Sequence, residues 1–334
     1  MSPKLTGLPL LMVALGIVLA VQAVFVLSYI GALHKPEPHK VSIGVVGSSP
    51  LPAAVGKQFS LRITPYATEA AAQEAIDHRR IDGALVAGPA GAKLIVVPAA
   101  GALTATALSN VFPLAAAALH QKLTIVQTHS LRAGDAVGNV SFLVVMALII
   151  GGYLASTIGM AFGGPVTRRR RRLASLAIVS GAGALFTDVI AGPILGAIPT
   201  SKFVVLWGLF AFVMMAVAFA TAALQAVLGA AGTLVVVVVF VIFGAPASGG
   251  TVPSPLLPAF WRTFGPYLPA GAGTTIVRNT IYFSGNNITR SLLIIAAYLV
   301  AGALVVTAIR RRTPAPDGAL AEAEASAAAA AAVI

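Results

Sequence analysis

The sequence contains no cysteine and few charged residues. Of its 334 residues, 10% are charged and 58% are hydrophobic, whereas a soluble globular protein carries about 25% charged residues. The absence of cysteine excludes disulfides, thiolate zinc sites, cysteine nucleophiles and cysteine-ligated iron–sulfur clusters. The shortage of charge predicts an α-helical polytopic membrane protein.

Acidic residues are scarcer than basic ones, with 10 acidic against 22 basic residues and a net charge of +12. A surplus of this size could serve nucleic-acid binding. However, eight of the basic residues fall in two runs beside apolar segments, Arg168–Arg172 and Arg310–Arg312. Such runs mark the cytoplasmic side of a membrane and can contact anionic lipids. We therefore expect membrane lipids, and no nucleic acid, among the partners.

Motifs for catalysis are missing as well. The Gly-Lys pair at residues 56–57 lacks the spacing and the following Ser or Thr of a phosphate-binding loop. His34, Glu37 and His39 have the residue types of a metal site, but the prolines between them spoil the spacing. Paired carboxylates in apolar segments and a nucleophile elbow are also absent from the sequence. We predict no catalytic, cofactor or metal site, so any ATP hydrolysis must occur in a separate subunit.

Six apolar segments have the length of a membrane span, which is about 20 residues. The first has 24 residues, which favours an uncleaved helix over a signal peptide with an apolar region of about 7–15 residues. With six spans, Lys4 and both arginine runs fall on one side, which predicts a multi-pass plasma-membrane protein with both termini cytoplasmic. The segments are residues 7–30, 142–162, 173–198, 203–223, about 225–243, and 291–309.

Residues 34–137 differ from the rest in carrying mixed charge, including six of the ten acidic residues. Apolar runs alternate there with helical patterns, and Thr68 can cap a helix that begins with Glu69. Pro113 is expected to kink or break the longest helix. These features predict a small α/β extracytoplasmic domain between helices 1 and 2. Strands are predicted at 41–46, 61–64, 85–86, 94–97 and 123–127, and helices at 51–59, 67–80 and 102–120.

The segment between the fifth and sixth spans is too apolar for a loop and too rich in Gly and Pro for a span. Such backbone is tolerated at membrane depth only when it is buried in protein or lines a cavity. We predict a re-entrant helical pair between helices 5 and 6, formed by residues 256–264 and 273–283. The predicted domains are residues 1–33 (cytoplasmic N-terminus and first helix), 34–137 (α/β domain), 138–309 (five-helix membrane domain with re-entrant segment 245–285) and 310–334 (cytoplasmic tail).

The predicted pair could act as an outer gate or as a plug that only seals the bundle. Its aromatic and arginine side chains could also be simple interfacial anchors. The candidate gate residues are Pro246, Gly249, Gly250, Pro258, Trp261, Arg262, Tyr267, Pro269, Arg278 and Tyr282.

Asp188 is the acidic residue that lies within a predicted span. An intramembrane carboxylate is by default a candidate site for an ion, a proton or a basic partner. Arg278 is a candidate partner. The alternative is a hydrogen-bonded or partly hydrated structural aspartate.

The order of one span, an outer domain and five further spans resembles the ABC-2 type permeases, in particular the branch related to the YhgE/Pip group. One similar stretch is Leu131–Gly138 (LRAGDAVG), which leads to Gly151–Leu154 (GGYL). The other is Phe243–Gly250 (FGAPASGG), continued by Leu257–Trp261 (LPAFW), Tyr267–Pro269 (YLP), Val277–Asn279 (VRN) and Tyr282–Phe283.

This resemblance implies the permease subunit of an ATP-driven exporter. Such permeases pair, as a homodimer or with a second permease, and bind two cytoplasmic ABC ATPase subunits. On this basis Arg168, Arg169, Arg170, Arg171 and Arg172 form the candidate ATPase contact.

Two other functions compete with an exporter. The first is a non-transporting scaffold or receptor, such as a secretion-system accessory or phage-attachment protein, although the outer domain is shorter than the large stalks of the phage-infection proteins. The second is an ion- or proton-coupled carrier using Asp188, which the absence of a detectable inverted repeat disfavours.

Overall fold

Long apolar helices and one small sheet make up the structure. The computed structural model describes residues 7–57, 59–89, 91–162, 169–229 and 231–309. Within them, five helices are long and apolar enough to cross a membrane, which confirms the membrane class. These helices are α1 (Leu8–Leu33), α5 (Val140–Phe162), α6 (Arg169–Val189, continued by a π-helix over Ile190–Ile194), α7 (Phe203–Leu228) and α12 (Thr289–Ala308).

The predicted start of the fifth span, near Gln225, is wrong. Gln225 belongs to α7, and the chain turns back only at Gly229, whose φ of +64° favours glycine. The next helix therefore begins at Ala231, and its 17 residues span about 25 Å. That length is below the roughly 30 Å of a bilayer core. The helix comprises α8 (Ala231–Val236), a π-helical stretch (Val237–Phe243) and α9 (Gly244–Ala247).

The predicted α/β unit is present as a five-stranded sheet in the order β2-β1-β3-β4-β5. β1 is parallel to both β2 and β3, β3 and β4 form an antiparallel hairpin, and β4 is parallel to β5. Alternating side chains point to opposite faces, so Leu94 packs with α4 while Ile95 packs with α3. The elements are β1 (Val41–Val46), α2 (Leu51–Val55), β2 (Leu61–Tyr66), α3 (Glu69–Asp77), β3 (Gly83–Gly88), β4 (Gly91–Val96), α4 (Ala102–Ala118) and β5 (Leu123–Gln127).

Of two local predictions in the sheet region, the helix cap at Thr68 is confirmed and the helix break at Pro113 is wrong. The Thr68 hydroxyl accepts a hydrogen bond from the Ala71 amide at 3.2 Å, so the predicted helix cap is confirmed. The predicted break at Pro113 is wrong, because α4 runs through it as one helix. Tertiary burial of Leu108 and Phe112 against the sheet holds the helix together on both sides of the proline.

A helical hairpin follows α9. It consists of α10 (Ala259–Phe264), a tight turn (Gly265–Tyr267) and α11 (Pro269–Tyr282), and we call residues 259–282 the hairpin. Its first helix starts later than the predicted 256–264. Its second helix starts earlier than the predicted 273–283, because Pro269 occupies the first turn of α11, where its missing N–H is tolerated.

The tip of the hairpin packs against α9 and α12. A side chain at Gly265 would lie 1.9 Å from the Ala247 carbonyl oxygen, so only glycine lets the turn approach α9. The Tyr298 hydroxyl donates to the Tyr267 carbonyl at 3.2 Å. Since Tyr298 lies midway along α12, the hairpin enters from one end of the bundle and turns back near its middle.

The segment leading into the hairpin belongs to the core of the sheet region. Val252, Leu256 and Leu257 are buried in one apolar cluster with Leu51 and with Phe112. The His39 amide donates to the Pro255 carbonyl at 2.8 Å, next to the start of β1. The sheet and the hairpin therefore share a hydrophobic core.

Close packing between α7 and α12 depends on Gly302. A Cβ atom there would lie 2.6 Å from the Phe219 carbonyl carbon, whereas a Cβ at Gly208 meets nothing within 4 Å. We expect Gly302→Ala to lower the stability by about 1–3 kcal/mol through overpacking. Gly208→Ala should be neutral or stabilising by up to about 1 kcal/mol. Thermal unfolding in detergent, followed by helical circular dichroism, measures both; equal unfolding temperatures would contradict the packing.

Candidate functional site

Arg278 is the buried centre of the hairpin. Its side chain is on α11, and the residue is only 6% exposed. Its Nη1 donates to the Gly249 carbonyl at 3.0 Å, and its Nη2 donates to the carbonyls of Gly250 at 3.1 Å and Gly138 at 3.3 Å. Hydrogen bonds from a charged donor are stronger than neutral ones. One guanidinium therefore joins α11 to the loop after α9 and the loop before α5.

The glycine pair is required by the close approach of these loops. Gly249 has a φ of +69°, and a side chain at Gly250 would lie 2.3 Å from the Cβ of Phe142 on α5. Larger residues at either position would move the two carbonyls away from Arg278. The structure thus brings together three of the predicted gate residues, Gly249, Gly250 and Arg278.

The C-terminal end of α11 is bound on two sides. The Lys202 ammonium, at the start of α7, donates to the carbonyls of Thr280 at 2.5 Å and Ile281 at 3.4 Å, which places a positive charge at a helix C-terminus. The Tyr282 hydroxyl donates to Asp135 at 2.7 Å, and the other Asp135 oxygen accepts from the Val140 amide at the start of α5. α5, α7 and α11 are thus fixed together at this end.

His129 connects the sheet to the hairpin. Its Nδ1 lies 2.9 Å from the Tyr282 carbonyl oxygen, and its Nε2 lies 2.8 Å from a carboxylate oxygen of Asp77. Both ring nitrogens thus lie within hydrogen-bond distance of an oxygen, one on the hairpin and one on α3. Burial acts to raise the pKa of Asp77, but hydrogen bonds from His129 and Gln73 outweigh it and lower that pKa. Asp77 is therefore ionised at neutral pH.

Aromatic and cation–π contacts strengthen this junction. The Phe283 ring lies 4.6 Å from the His129 ring and 5.0 Å from the Arg79 guanidinium carbon. The Asn286 side chain donates to the Asp77 carbonyl at 3.1 Å. The sheet region is therefore held to the hairpin by polar and aromatic contacts as well as by the shared core.

The other predicted gate residues form the frame of the hairpin. Trp261 is 8% exposed and stacks on Phe243 at 5.6 Å, and Arg262 reaches the His39 carbonyl at 3.4 Å. Pro246 is buried in α9, Pro258 directly precedes α10, and Pro269 starts α11.

Of the three aromatic side chains considered as interfacial anchors, Tyr267 is the exposed one, but it lies at the hairpin tip, near the middle of α12, and not at an end of the bundle. Tyr267 is 52% exposed, with the Arg290 guanidinium 4.8 Å from its ring. Trp261 is buried, and the Tyr282 hydroxyl is bound to Asp135.

Asp188 lies elsewhere in the bundle and is not paired with its candidate partner Arg278. Arg278 is satisfied by backbone carbonyls, and no ion pair within the described residues joins it to Asp188. Asp188 is 1% exposed on α6, and its Oδ2 has no hydrogen-bond partner in the described part of the chain. It lies two residues before the π-helical end of α6, where Pro193 interrupts regular helix bonding.

The arginine run lies at the end of α5 that is opposite to the sheet. Arg168 lies outside the described residues, and α6 begins at Arg169. Arg170 and Arg171 are exposed. Arg172 is turned into the bundle, where it donates to the Gln225 side chain at 3.0 Å. Arg172 is therefore not part of an exposed surface, and the predicted ATPase contact has fewer than five arginines.

Gln225 is the centre of a polar network that the sequence analysis missed. It is fully buried on α7. Its carbonyl oxygen accepts from Ser156 at 2.9 Å, and its amide nitrogen donates to Thr157 at 3.1 Å and Thr233 at 2.9 Å. With Arg172, these bonds join α5, α6, α7 and α8. The one available signal was a lone glutamine in an apolar run.

No protein-family model, curated protein or solved structure matches this chain. Its function is therefore inferred from the geometry of its own residues.

The Arg278 contacts predict a large cost for a conservative substitution. Arg278→Lys keeps the positive charge but loses the planar fork, so at least one buried carbonyl loses its donor. We expect a loss of about 2 kcal/mol or more. The matched control is Arg290→Lys, which changes an exposed arginine and should cost less than about 0.5 kcal/mol. Thermal unfolding of both variants, with limited proteolysis of the loop at Gly249, measures the difference; a similar cost for both would contradict the role of Arg278.

Proposed function

We propose that the chain is the membrane-spanning permease subunit of an ATP-driven exporter, similar to ABC-2 type permeases. The observation that carries the proposal is the polar character of α11. Thr274, Asn279 and Thr280 are buried there, and the side-chain oxygen of each has no hydrogen-bond partner among the described residues. Unsatisfied buried polar atoms are rare and need an explanation. A helix that lines a path for a polar substrate provides one.

The hairpin is proposed to be the outer gate of this path. Its tip reaches the middle of the bundle, and its outer end is held by side chains whose bonds can be exchanged. Broken helices of this kind at membrane depth are typical of transporters. The alternative within the same structure is a fixed plug.

The proposed topology has six passes with both termini in the cytoplasm of a cell-membrane protein. The helix from Ala231 to Ala247 would provide the fifth pass, because it starts where α7 ends and leads to the hairpin. The sheet region would then be extracytoplasmic, with Arg170 and Arg171 on the cytoplasmic side, as the positive-inside rule requires.

A second permease, as a homodimer or a paired subunit, is proposed to contact α1. Only 6% of the most apolar window of this helix is buried within the chain. Its contacts within the chain include one polar bond, from the Ser28 hydroxyl to the Ile242 carbonyl. Such an exposed apolar helix is suited to lipid or to a second copy.

A non-transporting scaffold or receptor remains the second candidate because of strand β5. This strand is at the edge of the sheet, with Ile125 37% and Val126 41% exposed. An exposed edge strand can pair with an extended segment of another protein.

Co-purification with a neighbouring P-loop ATPase tests the exporter proposal. We expect a complex of two permeases and two ATPases in which ATP hydrolysis is faster than in the ATPase alone. Arg170→Gln with Arg171→Gln should weaken ATPase binding about tenfold, or 1.4 kcal/mol. Arg62→Gln with Arg132→Gln, which changes two exposed arginines of the sheet region, should have no effect. An ATPase that neither co-purifies with the wild-type chain nor is stimulated by it would remove the exporter proposal.

A reversible cross-link distinguishes a gate from a plug. The Cβ of a residue at Gly244 would lie 3.2 Å from the Cβ of Ala270, close to the roughly 3.5–4.5 Å of a disulfide. Because the chain has no cysteine, Gly244→Cys with Ala270→Cys can form only this disulfide within one chain. We expect oxidation to abolish the stimulated ATP hydrolysis and reduction to restore it, while each single variant stays insensitive. Full stimulation of the cross-linked protein would identify the hairpin as a fixed plug.

A further inference from the structure

A cavity of about 290 Å³ lies at one end of the sheet, away from the hairpin. Its walls include the loop after β1, the end of β3 and the residues before β5. The polar side chains that line it are Ser48, Ser49, Gln121 and Lys122. The exporter mechanism proposed above does not use this cavity.

The strand order makes this end of the sheet a favourable place for a ligand. β1 leads through α2 to β2 on one side, and the chain then returns through α3 to β3 on the other side of β1. The loops that leave the carboxyl ends of β1 and β3 therefore diverge and open a crevice. In open α/β sheets, ligands bind at such a switch point, outside the carboxyl ends of parallel strands.

The charge of the lining selects the ligand class. Lys122 is positive and exposed, and none of the described residues that line the cavity is acidic. The exposed Ser48 hydroxyl can donate a hydrogen bond, as can the Gln121 amide. We propose that this cavity binds a small hydrophilic solute that carries an oxyanion, with Lys122 providing the charge and Ser48 a hydroxyl donor.

The size and position of the cavity favour a free solute over a lipid headgroup. Its volume corresponds to about ten water molecules, which suits a small metabolite. The cavity is separated from the hairpin by the length of β1, which is about 20 Å for six residues. A lipid headgroup at the membrane surface would therefore lie at the opposite end of the sheet.

Strand β5 gives a ligand in this cavity a direct connection to the hairpin. The strand begins immediately after Lys122 and ends at Gln127. Two residues later, His129 contacts the Tyr282 carbonyl. The cavity and the hairpin junction thus lie at the two ends of one strand.

Calorimetric titration of the full chain in nanodiscs tests the proposal, with phosphate and citrate as probes and glycerol as the neutral control. We expect at least one anion to bind and glycerol not to bind. Lys122→Gln should weaken binding at least tenfold, and Ser48→Ala should weaken it by a smaller factor. The matched control is Lys57→Gln, an exposed lysine of the same region outside the cavity, which should change the affinity less than twofold.

Three results would overturn this proposal. The first is no binding of either anion at about 10 mM, and the second is equal affinity in Lys122→Gln and Lys57→Gln. The third is loss of anion binding when zwitterionic nanodisc lipids are replaced by anionic ones, which would identify a headgroup as the occupant. None of these results depends on an ATPase partner, so the exporter proposal is tested separately.

Discussion

Arg278 places a positive charge among buried apolar helices, and its described partners are uncharged backbone carbonyls. A bare charge in such surroundings costs several kcal/mol. Each hydrogen bond to a charged group returns about 1.5–3 kcal/mol, so the charge is tolerated only while all three carbonyls stay in place. The loops at Gly138 and Gly249 are therefore fixed by the requirement to solvate one side chain.

The sheet region and the membrane bundle are one mechanical unit because of this arrangement. Arg278 fixes the loop after α9, and the residues that follow this loop fill the core of the sheet region. Four residues beyond Arg278, Tyr282 is bound to both Asp135 and His129. A displacement of α11 would thus change contacts in the helical bundle and in the sheet region at once.

Composition and local chemistry were sufficient to predict the coarse architecture. Hydropathy located five apolar helices, and Thr68 marked the start of α3. The tight turn at Gly229 was missed because it lies in a run of small apolar residues that hydropathy does not divide. The helix break predicted at Pro113 does not occur, because burial of α4 against the sheet outweighs the local tendency of proline to interrupt a helix.

The candidate site could be predicted only in part. The glycine pair and Arg278 were recognised as a group, but the acceptors of Arg278 are backbone carbonyls, which have no signature in a sequence. Arg278 was a candidate partner of Asp188 on the ground of charge alone. The Gln225 network was not predicted for a related reason. Its members come from four helices, and no one of these serine, threonine, arginine and glutamine residues is unusual by itself.

The shared core also imposes an order on biosynthesis. All five strands of the sheet are complete once Gln127 has emerged, but Val252, Leu256 and Leu257, which complete its core, are made only about 130 residues later. At 5–20 residues per second this delay is on the order of ten seconds. During that time the sheet exposes an apolar surface, so the nascent chain is most vulnerable to aggregation and proteolysis before its last third has been translated.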